Sequence, residues 1–353
     1  MEKGLTKNHT KMLQGLAILM MLYHHLFSTP LALGIPYYSV LKFGDINIEL
    51  KMAWFFKICV AIYAFVSGYG LSRALSNKRA DYGVFNKLKN DYLFSIKKLI
   101  SFYGVYWLVF VTFVPLGFIF FDKTFEIKEF LLNFFGIEST YNGAWWYVFF
   151  YLKVLITLPL LNLIFTHFKG IKELIKKYIF IIVLGLLIYL FYLKDETLLM
   201  DIIESFQPAF YLSFLMGYLI SKFKIYEFFS KILPKNVLYF LGLVGLILVI
   251  VIRVRLAKDA SSAGLDFILV CIFAYGFSVL TNMFSFLQKP LLFFGKYSTI
   301  IWLTHVFFYD HYAKNIVMYS HISTFIYITL LLLSTLTAIV LTKIIHIFKH
   351  IFL

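Results

Sequence analysis

Residues 13–27 read LQGLAILMMLYHHLF. The run is apolar and helix-length, yet it holds two adjacent imidazoles, His24 and His25, where leucine would enter lipid at no cost. A bilayer core about 30 Å thick needs about 20 mostly apolar residues per helix. This run, extended to 12–28, meets that demand, and so do 52–71, 99–121, 144–165, 178–193, 202–220, 237–252, 265–281, 291–309 and 324–348. The expected fold is therefore all-α: a polytopic integral membrane protein of about ten transmembrane helices, with residues 1–353 forming one membrane-embedded domain.

Composition points the same way. Of 353 residues, 61% are hydrophobic and only 14% charged, too little charge to cover a soluble domain of this length. The net charge of +15 is not gathered into a nucleic-acid-binding face. Its lysines and arginines lie in short tracts between apolar runs, as membrane topology requires, so no nucleic-acid partner is expected. Placing both termini in the cytoplasm puts most of the 33 basic residues on that side, and the expected location is the cell membrane. The segment 121–142 then lies outside, and the tract of Arg253, Arg255 and Lys258 runs against the rule. Cys59 and Cys271 sit inside apolar runs and imply no disulfide framework.

Ionisable groups within spans cost about 2.5–3.5 kcal/mol each when charged, so they need a reason. His24, His25, Lys57, Lys153 and His305 form that set. A neutral imidazole is a base, which makes each histidine a candidate for proton abstraction. At about 100° per residue, Gln14 and His25 return to nearly the same face about 16 Å apart, and Lys11 lies near it. Lys11, Gln14 and His25 thus form one polar stripe, while His24 points away as a packing or supporting residue. Ser298 and His305 share a face of a late helix. Ser67, Gly68 and Gly70 suit close helix approach. Trp145 and Trp146 fit an interfacial aromatic belt. Lys57 lies shallow enough to snorkel; Lys153 lies deeper and could meet a substrate phosphate.

Four segments resemble one family. QGLAILMMLYHH, KICVAIYAFVSGYGLSRAL, NGAWWYVFFYLKVLITLPLL and FFGKYSTIIWLTHVFF follow, in order, landmarks of the acyltransferase-3 group of polytopic membrane O-acyltransferases, which modify bacterial surface glycans. His25 and His305 fall on its histidines. Gln14 stands where members usually carry arginine, and Lys11 lies one turn away on the same stripe. The resemblance implies an O-acetyltransferase that moves an acetyl group from cytoplasmic acetyl-CoA to a hydroxyl of a surface polysaccharide or lipid-linked precursor. No permanently bound cofactor and no metal is expected, and membrane lipid surrounds the chain.

Under that reading His25 and His305 are the catalytic candidates. Gln14, Lys11, His24, Ser67, Tyr69, Trp145, Trp146, Lys153 and Ser298 are candidates for substrate binding. Arg73, Lys78 and Arg79 would meet the coenzyme phosphates, arginine through bidentate contacts and lysine as a point charge. His25 would act as general base, worth about 10²–10⁴-fold; a covalent acetyl-imidazole relay is the alternative within this class. His305 would orient substrate or stabilise the oxyanion. No Gly-rich phosphate cradle, HxxxD motif, GxSxG elbow or metal-ligand cluster appears. A polysaccharide polymerase or lipid-linked glycan flippase is the competing class, expected to carry larger outer loops. A secondary transporter would show an inverted repeat, and none is visible.

Overall fold

The N-terminal helix begins where Thr6 caps it. Its side chain accepts from the His9 amide while the His9 ring accepts from the Thr6 amide, a reciprocal capping box. This helix, α1 (Lys7–Phe27), contains the opening stretch. The computed structural model describes residues 4–29, 33–76, 83–121, 123–167, 208–256 and 264–352. After α1 come a short hairpin (β1 Lys42–Phe43, β2 Ile46–Asn47), α2 (Ile48–Phe56), α3 (Cys59–Ser76), α4 (Val84–Phe120), α5 (Ile127–Phe134) and α6 (Trp146–His167). The second half holds α7 (Pro208–Lys222), α8 (Ile225–Ile232), α9 (Lys235–Leu256), α10 (Asp266–Met283), α11 (Gln288–Val306), α12 (Lys314–Met318) and α13 (Ser323–Phe352).

Among the described residues seven helical stretches are long and apolar enough to cross a membrane, which makes this an all-α polytopic membrane protein. The expected count of ten is not reached. α1 falls short in hydropathy because Lys11, Gln14, His24 and His25 dilute its apolar residues, and the described part of α7 spans 15 residues. The span expected at 178–193 lies outside the described residues, as do 202–207.

Two helix pairs set the centre of the bundle, and glycine makes both possible. A Cβ on Gly15 of α1 would overlap the Leu291 carbonyl oxygen of α11, and one on Gly295 would overlap that of Lys11. Likewise a Cβ on Gly68 of α3 would strike the Phe214 carbonyl of α7, and one on Gly217 that of Phe65. With no hydrophobic drive between helices in lipid, such backbone approach supplies the packing energy. Gly70 differs from the expectation: it faces open space. Gly68→Ala is therefore expected to destabilise the protein by about 3 kcal/mol through forced separation of α3 and α7. Gly70→Ala should be neutral, and thermal unfolding of both variants in detergent checks the contrast.

The segment after α4 is pinned by aromatic side chains of that helix. Tyr103 donates to the Phe135 carbonyl at 2.6 Å and Trp107 Nε1 to that of Phe134 at 2.9 Å. The basic tract that opposed the charge rule also has a local explanation. Arg253 lies inside α9 rather than in a loop, and its Nε meets Asp266 Oδ1 of α10 at 2.7 Å. A buried ion pair carries no topology signal. Lys258 lies outside the described residues. Lys57 sits at the break between α2 and α3. Cys59 and Cys271 are free.

Candidate active site

The α1–α11 contact determines what His25 can reach. Gly15 and Gly295 bring the two helices together, and ten residues further along each chain stand His25 and His305. Their rings meet: His25 Nδ1 lies 3.2 Å from His305 Nε2. His305 is fully buried, and its Nδ1 lies 2.7 Å from the Trp302 carbonyl oxygen one turn back. The hydroxyl of Tyr309 lies 3.4 Å from the same His25 nitrogen. Tyr309 belongs to a π-helical turn, Phe307–His311, whose wider hydrogen bonding is typical of functional sites.

Side chains from outside α11 hold the approach to that turn. The Leu303 carbonyl accepts from Asn142 Nδ2 at 3.1 Å and from Trp145 Nε1 at 3.0 Å. In return, Trp302 Nε1 donates to the Ala144 carbonyl at 3.1 Å. Two indoles thus cross-link the start of α6 to the turn of α11 that carries His305. Trp145 is consequently 0% exposed and part of the core, not of an interfacial belt or a substrate surface.

His25 lines a cavity of about 160 Å³. From α1 it takes Gln14, Met21 and His25, and from α3 Val60, Tyr63 and Ser67. Phe102 of α4, then Ala144, Trp146, Tyr147 and Tyr151, and finally Thr299 and Trp302 of α11 complete the wall. Gln14 and His25, whose backbone positions stand about 16 Å apart along α1, border the same space. The described lining carries no carboxylate, ammonium or guanidinium group, and its polar groups are amide, hydroxyl, indole and imidazole. Such a space accepts neutral, extended, partly polar groups and penalises bare charge.

The stripe on α1 is a physical feature. Lys11 Nζ donates to Gln14 Oε1 at 3.2 Å, which links the end of the cavity remote from His25 to a cation. Tyr63 reinforces the same point by donating to the Gln14 backbone carbonyl at 3.3 Å. Ser67 and Trp146 join Gln14 and His25 at the cavity wall.

The other candidates lie elsewhere. His24 Nδ1 bonds the Ala53 carbonyl at 2.7 Å and ties α1 to α2, away from the cavity. Tyr69 is buried; its hydroxyl accepts from the Leu5 amide at 3.0 Å and from Arg73 Nη1 at 3.2 Å. Arg73 also pairs with Glu227 at 2.8 Å while 44% of its side chain stays exposed. Its contact with Tyr69 places it beside residue 5, near the start of α1. Ser298 folds back on the Gly295 carbonyl at 3.0 Å, so the hydroxyl and imidazole expected to share a cavity face are instead both buried beside it. Thr299 and Trp302 take that place on α11. Lys153 lies outside the lining, its Nζ 4.4 Å from the centre of the Phe149 ring. Lys78 and Arg79 lie outside the described residues.

Sequence reasoning did not single out Asn142, Tyr63, Tyr147, Tyr151, Thr299, Trp302 or Tyr309. For Tyr309 a signal exists, since it follows His305 by four residues and must share its helix face. For Asn142 it is a lone amide at the mouth of an apolar run.

No curated protein and no solved structure matches the chain. A family model described as an acyltransferase domain matches residues 11–344, a region that holds every residue of the imidazole pair and of the cavity wall. The chain therefore belongs to the acyltransferase-3 family, as a membrane acyltransferase.

Proposed function

We propose that the protein moves an acetyl group from cytoplasmic acetyl-CoA to a hydroxyl of a surface polysaccharide or its lipid-linked precursor, at the cell membrane. The observation that carries this reading is the placement of His25 on the wall of an uncharged cavity that Gln14, hydrogen-bonded to Lys11, also lines. A thioester and its amide-bearing arm are neutral and extended, and they suit that lining. The coenzyme phosphates would stay outside it, near Lys7, Lys11 and Arg73, with Lys78 and Arg79 as further cations close by in the chain.

In the reaction, the acceptor hydroxyl gives its proton to His25 as its oxygen attacks the thioester carbonyl carbon. The tetrahedral intermediate then expels the sulfur by breaking the C–S bond. His25 returns the proton to the leaving thiolate, so that ester and thiol are the products and the imidazole is restored.

Purified protein in lipid vesicles, given labelled acetyl-CoA and a glycan acceptor, should produce acetylated glycan. Surface glycan from cells with the protein should exceed that from cells without it by acetyl mass units. A glycan that lengthens or changes sides without gaining acetyl would instead identify a polymerase or flippase. No difference in any glycan fraction would overturn the proposal.

A further inference from the structure

The two imidazoles meet nitrogen to nitrogen, and the protons between them can be counted. His305 Nδ1 lies 2.7 Å from the Trp302 carbonyl oxygen, which can only accept, so that nitrogen carries a proton. A neutral imidazole has one N–H, which leaves His305 Nε2 as a lone pair. The lone pair faces His25 Nδ1 at 3.2 Å. Two lone pairs at that separation repel, so His25 Nδ1 must be the donor. The single proton of a neutral His25 is then committed, and its Nε2 is bare.

Tyr309 fits the same count. Its hydroxyl oxygen lies 3.4 Å from His25 Nδ1 and offers that proton a second, weaker acceptor. The π-helical turn beginning at Phe307 carries this hydroxyl, and the turn follows directly on the last turn of α11, which carries His305. Neither ring has a carboxylate among its described partners.

We infer that His305 is a positioning residue that holds His25 in its Nδ1–H tautomer, with Tyr309 as a secondary acceptor, so that Nε2 is the atom that receives the substrate proton. The inference rests on the proposed role of His25 as base. His305 does not line the cavity and acts only through His25. When His25 takes up the substrate proton at Nε2, its Nδ1–H bond to His305 becomes charge-assisted and strengthens. His305 in turn points its own N–H at the Trp302 carbonyl one turn back, which fixes which of its two nitrogens carries the proton. A neutral ring backed by a helix carbonyl here does what a buried carboxylate does for the histidine of a Ser-His-Asp triad.

The test reads the tautomer directly. Full-length protein labelled with ¹⁵N-histidine, in detergent or lipid at neutral pH, should give a His25 signal with Nδ1 protonated and Nε2 unprotonated. His305→Leu removes the acceptor and should release His25 into a mixture of tautomers, with kcat lower by about 10²-fold and KM for the donor unchanged. His305→Gln, whose amide oxygen can accept from Nδ1–H, should keep the tautomer and recover part of the rate. Tyr309→Phe should keep the tautomer and lose only a few-fold in rate, because the shorter contact to His305 remains. A wild-type His25 protonated at Nε2, or a tautomer indifferent to His305→Leu, overturns the inference. Should His305→Leu fail to fold, the wild-type spectrum and His305→Gln still decide it: a wild-type His25 protonated at Nε2, or a His305→Gln variant that loses the Nδ1–H tautomer, overturns the inference. Undiminished acyl transfer by a His25→Ala variant would remove the base role and leave the tautomer standing, so the two failures are distinguishable.

Discussion

Alanine in place of His25 should abolish acyl transfer, with turnover reduced on the order of 10³–10⁴-fold. The same change should leave the fold nearly intact. His25 already borders open space, so truncating it enlarges a cavity instead of breaking into a filled core. Its neighbour supplies the contrast. His24 bonds the Ala53 carbonyl at 2.7 Å and stitches α1 to α2, so His24→Ala should lower stability by about 1 kcal/mol and leave most turnover in place. Met21→Ala, one turn away on the cavity wall, changes the shape of the site without removing a base and should alter KM more than kcat. Turnover of labelled acetyl-CoA and thermal unfolding of the same preparations separate the three. If His24→Ala proved inactive and His25→Ala active, the site would have been assigned to the wrong imidazole.

That contrast was legible in the sequence because helical geometry is strict. Adjacent residues of a helix point about 100° apart, so only His25 shared a face with Gln14 and Lys11, although the two rings lie edge to face with centroids 5.6 Å apart. The contact between Lys11 and Gln14 bears out the stripe. The same rule separates Trp145 from Trp146, one buried against Leu303 and the other on the cavity wall, but sequence could not say which was which. Ser67, Gly68 and Gly70 of α3 announced close packing without naming a partner, and Gly15, Gly217 and Gly295 were not singled out at all. The partners depend on which backbone meets which glycine, a property of the whole bundle. Tyr309 was overlooked because a tyrosine near a span end already has an interfacial explanation. Its four-residue spacing from His305 was a signal, but the π-helical turn that sets its hydroxyl against His25 is not encoded in local propensity.

Arg253 illustrates the opposite case, in which a rule was applied to a residue that does not obey it. Read from the chain, it was a positive charge in a loop on the wrong side of the membrane. In the structure its side chain is 2% exposed and faces Asp266, itself 3% exposed, at 2.7 Å. Among the described residues none of its three guanidinium nitrogens makes a well-aligned hydrogen bond, nor does the second Asp266 oxygen, so the pair is held by charge more than by satisfied geometry. Taking two ions out of water costs several kcal/mol each, and attraction at short range offsets that only while both are present. Arg253→Leu leaves an unpaired buried carboxylate and should cost about 3–5 kcal/mol. Asp266→Leu leaves the guanidinium and should cost a similar amount. The double variant Arg253→Leu/Asp266→Leu removes both ions and should recover most of the loss, since apolar pairs of similar volume are often as stable as the ion pair they replace. Unfolding midpoints of the four proteins in one detergent complete the cycle. Additive losses in the double variant would mean that the two charges do not sense each other and that something else holds α9 against α10. Recovery would show that the pair is dispensable for stability and that the loss in each single variant comes from the charge left unpaired.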